Sequence, residues 1–220
     1  MKNYAIILAS GSSNRFGDKI PKQFIEIEGQ TILEKSIDAF EKNSNITDII
    51  LITNPDYIEY TQNLVKGKFS KLRIIHAGGK TRQESSAIGV SLIEEPNANV
   101  LIHDAARPFV SQEIITNCIK ALETNKAVGV AINSNDTIIK VDENGFIEEI
   151  PNRNFLRRVQ TPQCFKLDII KTAHQKALEN PELTVTDDCG LVLHFNLAKI
   201  AVIEGDERNL KITHKSDLKL

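Results

Sequence analysis

The chain has 220 residues, of which 41% are hydrophobic and 25% charged, and its formal net charge is −2. That length suits one compact domain, residues 1–220, with a sizeable core, and the near-neutral balance excludes a global basic field drawing it to nucleic acid or anionic lipid. No apolar run is long enough to span a bilayer, and Met1-Lys2-Asn3 leads straight into a short strand, so neither a signal peptide nor a membrane segment is expected. Cys118, Cys164 and Cys189 are odd in number and widely spaced, with no zinc or redox pairing, so a reducing cytoplasm is the expected setting.

Residues 4–8 form an apolar run that reads as the buried first strand of a parallel sheet. Behind it come Leu8-Ala9-Ser10-Gly11-Ser12-Ser13-Asn14-Arg15-Phe16 and Pro21-Lys22-Gln23-Phe24. Small residues there let the backbone approach a ligand and turn its N–H groups inward, while Arg15 and Lys22 add two cations. Amides plus fixed positive charge are what a triphosphate requires. The loop lacks the Gly-Lys-Ser/Thr end of a Walker loop and the glycine spacing of a dinucleotide fold. A strand-to-helix turn with surface cations is the rival reading.

Helical patterns over 32–42, 57–65, 82–94 and 113–124 alternate with strand-like runs at 49–53, 72–76, 100–103 and 127–132. This βαβ rhythm predicts a Rossmann-like, doubly wound α/β fold with a mostly parallel sheet. Within it, Ala77-Gly78-Gly79-Lys80-Thr81-Arg82-Gln83-Glu84-Ser85 lies between a strand and a helix; its glycines admit a flat base, or equally a flexible turn with a helix cap. In Ile102-His103-Asp104-Ala105-Ala106-Arg107-Pro108 an acid leaves a buried strand three residues before an arginine. Asp104 suits a divalent cation near a triphosphate and Arg107 an anionic co-substrate, with an internal ion pair as the alternative. His103 carries no assigned chemistry.

Residues 136–141 and 146–150 flank Asp142-Glu143-Asn144-Gly145, a strong hairpin signal. A lone hairpin is marginal in water, so it is expected to pack on something, a second subunit included. Arg153, Arg157 and Arg158 follow, before Gln160-Thr161-Pro162-Gln163; they suit a phosphate or a solvated face. Helices at 167–178 and 186–195 and a strand at 199–203 complete the pattern. Thr186-Asp187-Asp188 also reads as a helix cap, and Lys211, within Asn209-Leu210-Lys211-Ile212-Thr213, is expected in a short strand. Leu220 falls inside what reads as a starting helix after Ser216, which suggests a trimmed chain. With no nucleophile–base signature and five histidines scattered without metal-ligand spacing, catalysis is expected to work by positioning and charge neutralisation.

Taken in order, Pro21-Lys22-Gln23, His103-Asp104-Ala105-Ala106-Arg107-Pro108, Gln160-Thr161-Pro162-Gln163 and Asn209-Leu210-Lys211-Ile212-Thr213 form a specific set covering nearly the whole chain. The set resembles the cytidylyltransferases acting on polyol phosphates, chiefly the 2-C-methyl-D-erythritol 4-phosphate cytidylyltransferase family, with the ribitol-5-phosphate enzymes as relatives. The resemblance implies a Mg²⁺-dependent enzyme with Arg15, Lys22 and Lys211 as catalytic residues, Arg15 and Lys22 holding the phosphates of CTP and Lys211 standing by the polyol phosphate. Ala9, Ser10, Gly11, Gly79, Ser85, Asp104 and Ala105 would bind CTP, with Mg²⁺ held mainly by its phosphates and by Asp104. Arg107, Thr137, Arg153, Thr161 and Thr186 would surround the polyol phosphate. The hairpin, about 136–160, would be an arm embracing a second subunit of a homodimer and completing the neighbour's site.

Ser10 and Ser13 depart from the Ala/Gly and Gly usual in that loop, and the family's C-terminal helix is cut off at Leu220. Leu156-Arg157-Arg158-Val159 favours the methylerythritol acceptor, whereas Thr186-Asp187-Asp188-Cys189 leans toward ribitol. More distant alternatives are a sugar-nucleotide or molybdopterin nucleotidyltransferase, or a nucleotide-sensing module.

Overall fold

A computed structural model describes residues 1–11 and 20–218 of the chain. Its strands, in chain order, are β1 (Lys2–Ala9), β2 (Glu26–Ile27), β3 (Gln30–Thr31), β4 (Asp48–Thr53), β5 (Leu72–Ala77), β6 (Ala98–Asp104), β7 (Ala127–Asn133), β8 (Lys140–Val141), β9 (Ile147–Glu149), β10 (Arg157–Lys166) and β11 (Ile200–Glu204). The α-helices are α1 (Ile32–Glu41), α2 (Ile58–Val65), α3 (Arg82–Ser91), α4 (Gln112–Ala121), α5 (Leu167–Leu178) and α6 (Asp188–His194).

Seven strands form the central sheet in the order β11-β7-β10-β6-β1-β4-β5. All pairings are parallel except those of β10, which runs antiparallel to both β6 and β7. The chain winds from β1 outward through β4 and β5, then returns to place β6 on the other side of β1. Sheets of this kind bind ligands outside the carboxyl ends of the strands where the winding reverses, here between β1 and β6.

Both sheet faces are covered, which is why the parallel strands read as apolar runs rather than alternating ones. Ala5, Ile7 and Ala9 of β1 join Leu33, Ile37 and Phe40 of α1 and Ile115 of α4 on one face. Ile6 and Leu8 join Val90 of α3, Ile170 of α5 and Leu191 of α6 on the other. The helix starts are set locally: Thr31 and Glu34 form a capping box on α1, and Thr81, Ser111 and Asp187 cap α3, α4 and α6.

Several elements differ from the sequence-based expectation, among them α4, which ends at Ala121 rather than 124, and β8, which covers only Lys140–Val141 of the expected 136–141. Helix α3 stops at Ser91 rather than 94, because Pro96 disfavours helical backbone just ahead of it and the chain extends into β6. Strand β10 was not expected at all. Its sequence is polar and contains Pro162, and the structure absorbs this with a register shift between Gln160 and Gln163. Lys211 lies in irregular backbone rather than a strand, and β2–β3 form an unforeseen short hairpin turning at Glu28 and Gly29, both at positive φ.

The expected hairpin at 136–150 forms as β8–β9, separate from the main sheet. Asp142 staples its turn, its carboxylate accepting from the N–H groups of Asn144 and Phe146, both at 2.9 Å, with Gly145 at φ +85°. Its apolar residues face outward: Phe146, Ile147 and Ile150 are 73%, 60% and 61% exposed, and nearby Phe155 is 84% exposed. Among the described residues no helix is long and apolar enough to cross a membrane.

Gly89 lets α3 settle onto the sheet. A Cβ there would lie 2.6 Å from Ile6 Cγ2 and 3.3 Å from Ile52 Cγ1. Gly89→Leu is therefore expected to cost about 2 kcal/mol or more through overpacking, read as a lower urea midpoint with an unchanged slope; an unchanged midpoint would show that the helix shifts freely.

Candidate functional site

The ends of β1, β5 and β6 and the segment around Lys211 enclose a cavity of about 1010 Å³ at the reversal point. Ala9, Ser10, Gly11, Lys22, Gly79, Asp104, Ala105 and Lys211 all line it, so the fold brings eight of the residues singled out in the sequence to one cavity. Arg15 lies outside the described residues. Ser85 stands one layer behind, fully buried; its hydroxyl accepts from the Gly79 N–H at 3.1 Å, donates to the Thr81 carbonyl at 2.9 Å and meets Ser10 Oγ at 2.8 Å. Gly78 is required for that closeness, since a Cβ there would collide with Ser10 Cβ and come within 2.8 Å of Ser85 Oγ.

Gln23 anchors the turn that carries Lys22. Its buried Nε2 donates to the Ala9 carbonyl at 2.9 Å, tying the short 3-10 turn Lys22–Phe24 to the end of β1. Lys22 Nζ then donates to the Ile212 carbonyl at 2.7 Å, joining this turn to the C-terminal segment. That segment is latched from beneath. Asn209, fully buried, donates to Gln160 Oε1 at 3.1 Å and to the Thr161 carbonyl at 2.9 Å. The bulge in β10 thus delivers the acceptors that locate Lys211.

Asp104 is the electrostatic centre. Its Oδ1 accepts from Arg82 Nε at 3.0 Å and its Oδ2 from Lys211 Nζ at 2.7 Å. Burial alone would raise its pKa, but Arg82 and Lys211 outweigh burial and hold the carboxyl well below the usual carboxylate range. Burial likewise opposes the charge on Arg82, and the carboxylates of Asp188 and Asp104 more than restore it. Arg82 was quoted in the sequence but given no role. An arginine in the first turn of a helix carries no mark distinguishing it from a solvated charge, and its partners stand 22 and 106 residues away.

The Asp104 backbone is fixed by its neighbours. Its N–H donates to Thr161 Oγ1 at 3.1 Å, and that hydroxyl stands 3.0 Å from His103 Nδ1. His103 Nε2 lies 3.0 Å from the Arg107 carbonyl, an acceptor, so the ring carries its proton on Nε2 and Thr161 donates to Nδ1. Burial, only partly offset by these bonds, depresses His103 to about 4, so it is a neutral core histidine. Thr161, expected at the polyol phosphate, is buried with its hydroxyl committed to this chain of bonds.

Arg107 donates to the carbonyls of Asn209 at 2.7 Å and Val159 at 3.3 Å, leaving Nε buried without a partner among the described residues. Burial lowers its pKa. Thr186 is exposed and lines a separate cavity of about 220 Å³ whose wall shares Thr81 and Arg82 with the large one. Thr137 is exposed at the hairpin, and Arg153 lines a third cavity of about 330 Å³ with Asn135 and Arg157. Within one chain, therefore, Thr137 and Arg153 are not brought to the cavity that holds Lys22 and Lys211.

Asp104 is one carboxylate with both oxygens engaged, and no group of three His, Cys, Asp or Glu among the described residues could hold an ion unaided. A divalent cation beside Asp104 would therefore have to draw most of its oxygen ligands from substrate phosphates.

A family model described as IspD: 2-C-methyl-D-erythritol 4-phosphate cytidylyltransferase matches residues 4–220. The chain is 39% identical over 222 residues to the Thermobifida fusca protein of the same name, covering 97% of this chain and 89% of that one. It is 41% identical over 216 residues to the Caldanaerobacter subterraneus subsp. tengcongensis protein of that name, covering 97% and 94%. A crystal structure of 4-diphosphocytidyl-2C-methyl-D-erythritol synthase from Anaerococcus prevotii superposes with a TM-score of 0.88 at 32% identity, covering 99% of this chain and 92% of that one.

The buried His103 has a consequence for stability. The unfolded chain takes up its proton near 6.5, the folded chain only near 4, so between these values the unfolded state binds more protons. His103 leaves stability intact above about pH 6.5 and erodes it as pH falls toward 4, by up to about 3 kcal/mol. Urea unfolding across that range is expected to show this slope in the parent protein and its loss in His103→Gln; equal slopes in both would refute the assignment.

Proposed function

The chain belongs to the 2-C-methyl-D-erythritol 4-phosphate cytidylyltransferase family, and from that membership we propose that it joins CTP to 2-C-methyl-D-erythritol 4-phosphate with release of pyrophosphate. The observation that carries this is the pair of lysines, Lys22 and Lys211, lining one crevice with Asp104 at the reversal point of the sheet. The names borne by the relatives favour the methylerythritol acceptor over ribitol 5-phosphate.

An oxygen of the acceptor phosphate attacks the α-phosphorus of CTP in line; that P–O bond forms as the bond from the α-phosphorus to the bridging oxygen breaks, and pyrophosphate departs with the electron pair. The attacking group is already an anion, so no strong base is needed. Ala9, Ser10, Gly11, Gly79 and Ala105 form the nucleoside side of the crevice, backed by Ser85. Arg15, Lys22 and Lys211 counter charge on the phosphates as it shifts toward the leaving oxygens. Lys211 is half-exposed and, among the described residues, ion-paired with Asp104 alone, so it can turn from that carboxylate to a bound phosphate. A divalent cation, held by the triphosphate and Asp104, would supply further charge neutralisation when bound.

Arg107, Thr137, Arg153, Thr161 and Thr186 are assigned to the acceptor side, Thr161 acting there through the placement of Asp104. Thr137 and Arg153 stand at the hairpin and away from their own chain's crevice, and the hairpin's outward apolar residues need a cover. Both facts support a homodimer in which the arm at about 136–160, projecting from a single domain of residues 1–220, completes the partner's site. Three free thiols suit a reducing cytoplasm.

Lys22→Ala is expected to lower kcat by about a hundredfold or more in a pyrophosphate-release assay, and near-parental turnover would remove it from the mechanism. Mixed dimers of Lys22→Ala and Arg153→Ala chains should regain one working site; no recovery would sink the shared arm.

A further inference from the structure

Arg82 does more than neutralise Asp104. Its guanidinium is fixed at two points by carboxylates from different elements: Nε donates to Asp104 Oδ1 at 3.0 Å and Nη1 to Asp188 Oδ2 at 2.7 Å. Asp188, whose side chain is 1% exposed, is itself gripped. Ser86 Oγ donates to its Oδ1 at 2.6 Å, His174 Nε2 stands 3.4 Å from the same oxygen and 3.3 Å from Ser86 Oγ, and the Asp188 N–H donates to Gln163 Oε1 at 3.0 Å. Helices α3, α5 and α6 thus converge on one buried carboxylate through Ser86, His174 and Asp188.

We propose that Asp188 is a positioning residue: held by Ser86 and His174, it fixes the plane of the Arg82 guanidinium, which in turn aims the Asp104 carboxylate into the nucleotide crevice. This rests on the assignment of that crevice to CTP transfer. A planar guanidinium tethered at one end rotates about its own chain, whereas two carboxylates on separate elements leave it one orientation. A purely structural clamp is a poor reason for the array, since buried ion pairs are often no more stable than apolar packing of the same volume. The strut also ends at a cavity wall rather than in the core. Its fixed end has a consequence for Asp104: of that residue's two cations, Arg82 is anchored and Lys211 is free to leave for a phosphate.

The test compares Asp188→Asn, His174→Leu, His174→Gln and the double variant Asp188→Asn/Arg82→Gln in pyrophosphate release and by crystallography. His174 Nδ1 is buried without a partner among the described residues, so the leucine removes only the Nε2 contacts, while glutamine can restore a donor there. Asp188→Asn and His174→Leu are expected to lower kcat/KM roughly ten- to a hundredfold, the scale of a misplacement by about 1 Å. His174→Gln should recover most of the loss, and Asp188→Asn should add little once Arg82 is already glutamine. Parental kcat/KM in the single variants, or losses that simply multiply in the double one, would overturn the proposal. Should Asp188→Asn fail to fold, His174→Leu and its glutamine counterpart decide alone. If the parent protein releases no pyrophosphate, the reaction assignment fails by itself. The crystal structure of Asp188→Asn, or of His174→Leu, still decides the positioning claim: the Arg82 guanidinium displaced from Asp104 supports it, and an unmoved one refutes it.

Discussion

Asp104 is a carboxylate buried at the carboxyl end of a central strand, and such a group persists only if cations are brought to it. Both of its oxygens are met, by Arg82 from the start of α3 and by Lys211 from the C-terminal segment. Three stretches of chain far apart in sequence are thereby drawn to one point. Because that point is where the winding of the sheet reverses, the demand for neutralisation also builds a crevice rimmed with positive charge, which is what a triphosphate needs.

The rest of the architecture holds this arrangement to tolerance. Gln23 ties the Lys22 turn to the end of β1, and Asn209 is locked between Gln160 and the Thr161 carbonyl. Strand β10 is the common support, since its bulge supplies Gln160 and Thr161 and its continuation supplies Gln163, which receives the N–H groups of Asp188 and Cys189. The antiparallel strand in an otherwise parallel sheet is therefore the element that joins the C-terminal segment, α6 and the Asp104 backbone into one frame. The hairpin stands apart from this frame, with apolar residues on its outside, as a contact surface would be built.

Much of the fold was legible because burial on both faces leaves a simple trace: short apolar runs separated by amphipathic helices. Strands β1, β4, β5, β6 and β7 follow that rule. Strand β10 escapes it, since Arg157 and Arg158 are exposed and Gln160 and Thr161 hold Asn209 rather than pack as apolar residues, which erases the strand signature. The lining of the cavity was readable where the pattern is local, as with Ser10 and Gly11 after β1, the paired glycines after β5 and the acid ending β6. It was not readable where it depends on partners distant in the chain. Arg82 looked like one helix charge among several, and Asp188 like an ordinary residue of a helix start, until the fold set them 2.7 Å apart. Lys211 was singled out only by the motif that contains it, because irregular backbone has no period to detect.

The most direct test of this account is a crystal structure of the protein with CTP and magnesium. The account predicts the nucleotide in the crevice between β1 and β6, its base against Gly78 and Gly79 and its phosphates met by Lys22 and Lys211. A triphosphate bound elsewhere, or those two lysines turned away from it, would contradict the account.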